Sequence, residues 1–280
     1  MAGSDSWRTL VDGGGSEGIV LAVDFDTTGR PEARFSDLVA NLPGGLTVWE
    51  TVPPEAGTPA TRSGAGFLDH WSARLEAERP QVRALLGFCA GSVYASALAD
   101  RISAWQDSEP LLLIFDPEIS VAQTLMWQYH KVVGFMSSVI SAEDVATARA
   151  AGQEVHDRTP AIGALKDGLV ALIREIGEPA FSKVGLDEVR REELFSVFES
   201  FLCYLAAASE IDPLDRWRDA VAFSSASPLS GLRAMRASGV AGERLAVARE
   251  LEIDVEHGAM LSHKGLADAV AEILEGSHRG

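Results

Sequence analysis

A chain of 280 residues is long for one domain, but single α/β domains run to about 200–250 residues, so one domain carrying a large insertion is the expectation. Apolar residues make up 46% and charged residues 23%, which is globular composition and excludes a disordered chain. With 41 acidic against 24 basic residues the net charge is −17, a balance that repels phosphate backbones and anionic lipid and argues against nucleic-acid and membrane-surface partners.

In chain order, residues 1–17 are polar and rich in Gly and Ser; they lack the basic start and apolar centre of a signal peptide and read as a flexible leader. Two cysteines make no disulfide framework and suit a reducing compartment, so a cytoplasmic location is expected. From Gly18 the pattern alternates short apolar runs with amphipathic stretches, the mark of βαβ units around a mostly parallel sheet. Gly18–Phe25 reads as a strand, Thr27–Pro31 as a turn, Glu32–Leu42 as a helix and Leu46–Val52 as the next strand. Val52–Ser63 is a Pro- and Gly-rich loop, and Phe67, Trp71 and Leu75 repeat at helical spacing within Phe67–Glu78. Val82–Phe88 is a strand and Ser92–Ile102 a helix of small residues; Leu111–Phe115, apolar throughout, is a strand covered on both faces. The longest apolar stretch, Ala84–Ala99, is interrupted by Gly87, Gly91, Ser92 and Ser96 and falls short of the roughly 20 residues a membrane span needs.

Beyond Ile119 the strand signal stops. Ile162, Leu165, Leu169, Leu172 and Ile176 step by three or four, as do Leu194, Phe198, Phe201 and Leu205, so residues 118–215 are expected to form an all-helical insertion. Ser141–Asp144 resembles a capping box, and Gly177 with Pro179 reads as a helix stop. Strands resume at Ala220–Ser224 and Leu251–Val255, and Lys264–Leu274 is the final helix. The core is therefore assigned to 18–117 and 216–280, as an α/β fold with a helical cap between its halves.

Chemistry concentrates in Gly87-Phe88-Cys89-Ala90-Gly91, which has the form glycine-x-nucleophile-x-glycine between a strand and a helix. Such a turn is so tight that glycines are needed to avoid clashes, and it lifts the nucleophile above the sheet edge at a helix N-terminus, where a thiol's pKa falls. Cys89 is accordingly expected to be partly thiolate; the plain alternative is a small buried hydrophobe. A thiol nucleophile needs a base and a group to orient it. Asp116 ends the Leu111–Phe115 strand, at the same edge as Cys89, although an Asp before Pro is often only a turn residue. His257 follows the Leu251–Val255 strand; His263, at a helix start, and His278, in the tail, are its rivals.

The elbow at Gly87–Gly91, an aspartate on the very next strand, a helical insertion and a late His257-Gly258-Ala259-Met260-Leu261 segment together resemble the α/β-hydrolase-fold thioesterases of non-ribosomal peptide and polyketide assembly lines. The resemblance implies Cys89 as nucleophile, Asp116 as orienting acid and His257 as base, with the N–H of Ala90 as first oxyanion donor. It implies no cofactor of the protein's own, the acyl or peptidyl group arriving on the phosphopantetheine of a carrier protein or on CoA. In many α/β-hydrolases the acid follows one strand later; here that segment, Ala220–Pro228, ends in serines, which favours Asp116. The chain departs from the family in three places. Cysteine replaces the usual serine. Asp24-Phe25-Asp26-Thr27-Thr28-Gly29 replaces the family's loop after the first core strand, leaving Phe25 and Asp26 as candidates for the second donor position, with the Asp26 charge opposed to an oxyanion. Val255-Glu256 precede the histidine where a glycine and a small or acidic residue are usual.

Acyl transfer from one thiol to another keeps the intermediate activated, so the expected activity is thioester hydrolysis, acyl transfer or cyclisation through Cys89, with a lean towards an amine acceptor. A non-hydrolytic scaffold or isomerase with a degraded oxyanion loop is the alternative, and a dienelactone-hydrolase-like reading fits less well because those enzymes lack a long cap. Apolar cap residues, among them Phe195, Phe198, Phe201 and Leu202, could close over an acyl chain, or simply pack the cap's own helices. A carrier partner is usually acidic, so docking would need a local basic patch, for which Arg216, Arg218, Arg233 and Arg236 are candidates. Metal-ligand spacing and a phosphate-cradling glycine loop are both missing from the sequence.

Overall fold

The computed structural model describes residues 6–14, 18–26 and 32–276. Along the chain these form β1 (Trp7–Val11), β2 (Ile19–Val23), α1 (Phe35–Ala40), β3 (Thr47–Thr51), α2 (Gly64–Glu78), β4 (Val82–Phe88), α3 (Gly91–Ile102) and β5 (Leu111–Phe115). Four long helices follow, α4 (Ala122–Phe135), α5 (Ala142–Arg158), α6 (Ile162–Lys183) and α7 (Glu188–Ala208). Then come α8 (Leu214–Trp217), β6 (Val221–Ser224), α9 (Gly231–Ser238), β7 (Arg249–Glu252) and α10 (Lys264–Gly276). The turn expected over Thr27–Pro31 and the rival His278 lie outside the described residues.

The strands form one seven-stranded sheet in the order β1-β3-β2-β4-β5-β6-β7. Every pair from β3 to β7 is parallel, and only β1 runs antiparallel, against β3. The chain steps from β2 outward to β3 and returns to place β4 on the other side of β2, so the direction of winding reverses at the β2–β4 pair. In open parallel sheets the carboxyl ends of the strands at such a reversal border the crevice where ligands sit. The core lies on the β2, β4 and β5 strands, with Val20, Ala22, Ala84, Leu86, Leu113 and Phe115 packed against Phe35, Leu38, Leu266 and Val270 of α1 and α10. β2 is buried at every position and β5 at all but its first, so both faces are covered and the strands read as unbroken apolar runs.

Residues 7–11, expected within the flexible leader, form β1. Trp7 is buried and its indole N–H donates to the carbonyl of Trp71 at 2.9 Å. Arg8 donates through Nε to buried Glu50 on β3 at 2.6 Å and also pairs with Asp26. The last strand lies at Arg249–Glu252, two residues earlier than Leu251–Val255, because Val221–Ser224 pairs in register with Arg249–Glu252.

The chain divides into two compact units. The sheet unit comprises residues 1–54, 68–119 and 211–280, and the second unit comprises 55–67 and 120–210. In the second unit α6 buries Leu165, Leu169 and Ile173, and α7 buries Phe195, Phe198, Leu202 and Leu205, the residues whose spacing marks these helices in the sequence. The capping box at the start of α5 forms, with Asp144 N–H donating to Ser141 Oγ at 3.1 Å and Ser141 N–H donating to Asp144 Oδ2 at 3.2 Å. The expected stop at Gly177–Pro179 does not occur, since α6 runs through to Lys183. Pro179 removes one helical hydrogen bond, but Gly177 is where the Phe195 ring approaches the helix, and that packing carries the helix on. Among the described residues, no helix is long and apolar enough to cross a membrane.

Candidate active site

Residue 89 sits where β4 ends and α3 begins, and its φ of 51° is left-handed. For a residue with a side chain this conformation costs about 1–2 kcal/mol, so surrounding bonds must hold it. The Cys89 N–H donates to Phe115 O at 2.9 Å. The Cys89 carbonyl accepts from the Ser92 N–H at 3.1 Å, the Ser92 hydroxyl at 2.6 Å and the Glu118 N–H at 3.2 Å. Gly87 permits the turn: a Cβ there would stand 2.5 Å from Ser92 Cα and 2.9 Å from Ala95 Cβ. The elbow expected from the Gly87–Gly91 pattern is formed.

Asp116 follows β5 with φ 40°, is almost fully buried, and donates its N–H to Phe223 O at 2.8 Å. Its carboxylate is split between two donors. Oδ1 accepts the Ser225 N–H at 2.9 Å, and Oδ2 lies 2.8 Å from His257 Nδ1. Gly231, at the start of α9, leaves room for it, because a Cβ there would stand 2.6 Å from Asp116 Oδ1. His257 opens a 3-10 turn over His257–Ser262. Its N–H donates to Ser227 Oγ at 2.8 Å, and that hydroxyl donates to Glu256 Oε2 at 2.5 Å. The imidazole stacks on Phe88, with ring centroids 4.8 Å apart and planes 18° from parallel. Thus Phe88 of the elbow and Asp116 at the end of the next strand together hold the imidazole. His263, the rival within the described residues, opens α10 and has an Nδ1 without a hydrogen-bond partner.

Glu118 carries no signal in the sequence. The Cys89 thiol donates its hydrogen bond to Glu118 Oε2 at 3.2 Å. Burial raises the thiol pKa well above its ordinary value, and the Glu118 carboxylate, with a further contribution from Asp24, pushes the same way; the Ala90 N–H pulls weakly against them. These influences oppose the expected partial thiolate: the half-buried Cys89 thiol is pushed up, not down. A helix N-terminus contributes a fraction of a charge, whereas a carboxylate in contact contributes a whole one.

The loop after β2 also differs from its sequence expectation. The Phe25 N–H already donates to Asp24 Oδ1 at 2.8 Å, so this candidate oxyanion donor is taken up by its neighbour's carboxylate. Asp26 pairs with Arg8 and, at 3.2 Å, with Arg34; its charge is offset locally instead of standing free against an oxyanion. Of the four arginines considered for a basic patch, Arg216 pairs with Glu109 at 2.6 Å, Arg236 with Glu250 at 2.6 Å and Arg233 with Glu252 at 3.5 Å. Only Arg218, which is exposed, has no such pair among the described residues. Among those residues no cluster of His, Cys, Asp and Glu could hold a metal ion.

No protein-family model and no curated protein sequence matches the chain. Solved structures do match its fold. The thioesterase domain of NocB from the nocardicin cluster is 16% identical with a TM-score of 0.55, over 98% of this chain and 100% of that one. The enol-lactonase of Burkholderia xenovorans LB400 is 14% identical with a TM-score of 0.52, over 98% and 96% of the two chains. MGS-M2, an α/β-hydrolase enzyme from a Medee basin deep-sea metagenome library, is 11% identical with a TM-score of 0.53, over 96% and 93%. With its mostly parallel seven-stranded sheet and helical insertion, the chain has the α/β-hydrolase fold.

Proposed function

We propose that the protein is a thioesterase-like enzyme of natural-product biosynthesis that takes an acyl or peptidyl group from a carrier-bound or CoA thioester onto Cys89. It then passes that group to water, an amine or a hydroxyl. The observation that carries this reading is the strained Cys89 elbow, whose Phe88 stacks on an imidazole with its Nδ1 2.8 Å from buried Asp116.

In this mechanism Asp116 holds His257 in the tautomer with the proton on Nδ1, which leaves the Nε2 lone pair free to act as base. Nε2 takes the thiol proton as sulfur attacks the thioester carbonyl. The Ala90 N–H faces the developing oxyanion, as it already faces the sulfur of Cys89. Collapse of the tetrahedral intermediate breaks the bond to the departing thiol, which leaves with the proton from the imidazolium. The acyl group is then a thioester of Cys89, nearly as activated as the donor. In the second half His257 deprotonates the acceptor, the acceptor attacks, and the Cys89 sulfur recovers the proton. The exchange of one thioester for another suits transfer to an amine.

Incubating the full chain with acyl-CoA and acyl-pantetheine thioesters and reading intact mass tests the reading. An adduct of the acyl mass on Cys89, absent in Cys89→Ala and slowed by about 10²-fold or more in His257→Ala, is expected. No adduct on the wild-type protein, or an unchanged rate in Cys89→Ala, rejects it. The occupied Phe25 N–H favours a second reading, a non-hydrolytic member of the fold; failure of every thioester to acylate Cys89 while the thiol remains open to small alkylating reagents would select it.

A further inference from the structure

The thiol of Cys89 has its hydrogen bond on a residue that plays no part in the mechanism above. Glu118 lies two residues beyond Asp116, and its N–H donates to the Cys89 carbonyl at 3.2 Å while its Oε2 accepts from Cys89 Sγ at 3.2 Å. Main chain and side chain therefore grip the elbow from the same turn. The left-handed backbone at Asp116 is what swings the chain back so that a residue from the end of β5 meets one from the end of β4. The second carboxylate that acts on the sulfur is Asp24, at the end of β2. The remaining groups around the elbow are the Ala90 N–H of α3 and the Asp116–His257 pair, whose imidazole stacks on Phe88. Asp26, further along the β2 loop, is already paired with Arg8 and Arg34. The charged side chains named as acting on the sulfur, Glu118 and Asp24, are both acidic.

We infer that Glu118 is a positioning residue for the nucleophile: its carboxylate hydrogen-bonds the Cys89 thiol between turnovers and, with Asp24, restricts what meets the sulfur to neutral or cationic acyl groups and acceptors, the phosphates of a carrier arm or CoA lying far from it. This rests on the reading of Cys89 as the nucleophile. No atom is transferred at rest; the S–H hydrogen bond to Glu118 is exchanged for one to His257 only when a donor takes the place of the carboxylate beside the sulfur. Anionic acyl groups would bring a like charge against Glu118 and Asp24, which disfavours them. An amine acceptor, arriving as an ammonium, is drawn to the same carboxylates before His257 removes its proton.

The test is chemical labelling of the full chain, mapped to Cys89 by peptide mass, with Cys203 read in the same digest as an internal control. With iodoacetamide across a pH series, the wild-type midpoint at Cys89 is expected above the roughly 8.5 of a free thiol. Glu118→Gln keeps the shape but removes the charge, and should lower that midpoint by about one to two pH units. Glu118→Asp, which keeps the charge, should stay near wild type, and Cys203 should not move in either variant. A second pair of reagents reads the selectivity. The trimethylammonioethyl and sulfonatoethyl methanethiosulfonates attack the same thiolate, so their rate ratio is independent of how much thiolate is present. The wild-type protein should favour the cation by about tenfold or more, and Glu118→Gln should shrink the ratio severalfold.

A wild-type midpoint at or below the free-thiol value overturns the inference without any variant having to fold. A midpoint and a charge ratio that ignore Glu118→Gln overturn it as well. The two proposals fail separately. Shifted midpoints without an acyl adduct keep the Glu118–thiol pairing and remove the catalytic reading, while an acyl adduct on a thiol indifferent to residue 118 does the reverse.

Discussion

Replacing Gly231 with alanine tests the architecture of the Asp116–His257 pair without touching either residue. Gly231 has a φ of 61°, and a Cβ there would stand 2.6 Å from Asp116 Oδ1, 2.9 Å from Asp116 Cα and 3.2 Å from its Cγ. Two costs follow. The left-handed backbone conformation costs an alanine about 1 kcal/mol relative to glycine. The larger cost falls on Asp116, which must move but is almost fully buried and has its carboxylate committed to the Ser225 N–H at 2.9 Å and to His257 at 2.8 Å. Bonds to a buried charged group are worth about 1.5–3 kcal/mol each. Loss of one of them with the backbone strain gives a total of about 2.5–4 kcal/mol. Urea unfolding of wild type and Gly231→Ala measures that difference, with an unchanged m-value required for the comparison. The imidazole Nδ1–H resonance of His257, followed by NMR, reports separately whether the carboxylate has left it. A Gly231→Ala protein within about 0.5 kcal/mol of wild type, with that resonance unmoved, would refute the claim that Asp116 is held by a fitted cavity.

Two further outcomes follow from the edge of the sheet. Glu50 is fully buried, and desolvation raises its pKa to about 7 against the pull of Arg8. The folded state therefore holds this proton more tightly than the unfolded chain does, so stability falls as pH rises from about 4.5 to about 7 and levels above it, with a change of at most about 3 kcal/mol. Glu50→Gln should flatten that slope in unfolding curves taken across the same range; a slope identical to wild type would assign the pH dependence elsewhere. Trp7→Ala empties a buried indole site and removes the donor to Trp71, which should cost about 3–5 kcal/mol by denaturant unfolding; a cost under 1 kcal/mol would mean that β1 is dispensable to the fold.

The sequence carried the turn at Cys89 and the meeting of Asp116 with His257 because each is set by local chemistry at a strand end. Gly87 must be small, Asp116 closes an apolar strand, and His257 follows the last strand before the final helix, so order along the chain was enough to bring them to one edge. β1 was illegible for a physical reason. Its five residues show no clean alternation, with Val11 exposed beside Arg8 and Thr9, and Arg8 pairs with Glu50 and Asp26, acidic partners more than a dozen residues away. Glu118 was missed because nothing in a bare carboxylate signals contact with sulfur; the meeting depends on the left-handed backbone at Asp116. The expected thiolate is opposed for the same reason, since the dipole of α3 is visible in the sequence, whereas burial of the thiol and the opposing carboxylates are visible only in space. At Pro179 local propensity predicted a break, and packing of α7 against α6 overrode it.

The seat of residue 89 is almost wholly main chain, built from the amides of Phe115, Ser92 and Glu118 and a single serine hydroxyl. Such a socket is indifferent to what hangs from its Cα. Cys89→Ser would keep those main-chain bonds, so under the proposed function the choice of attacking element is open to change by a single codon, while the turn that presents it stays as it is. Under that proposal, selection on this scaffold can trade one lifetime of the acyl intermediate for another at little structural cost.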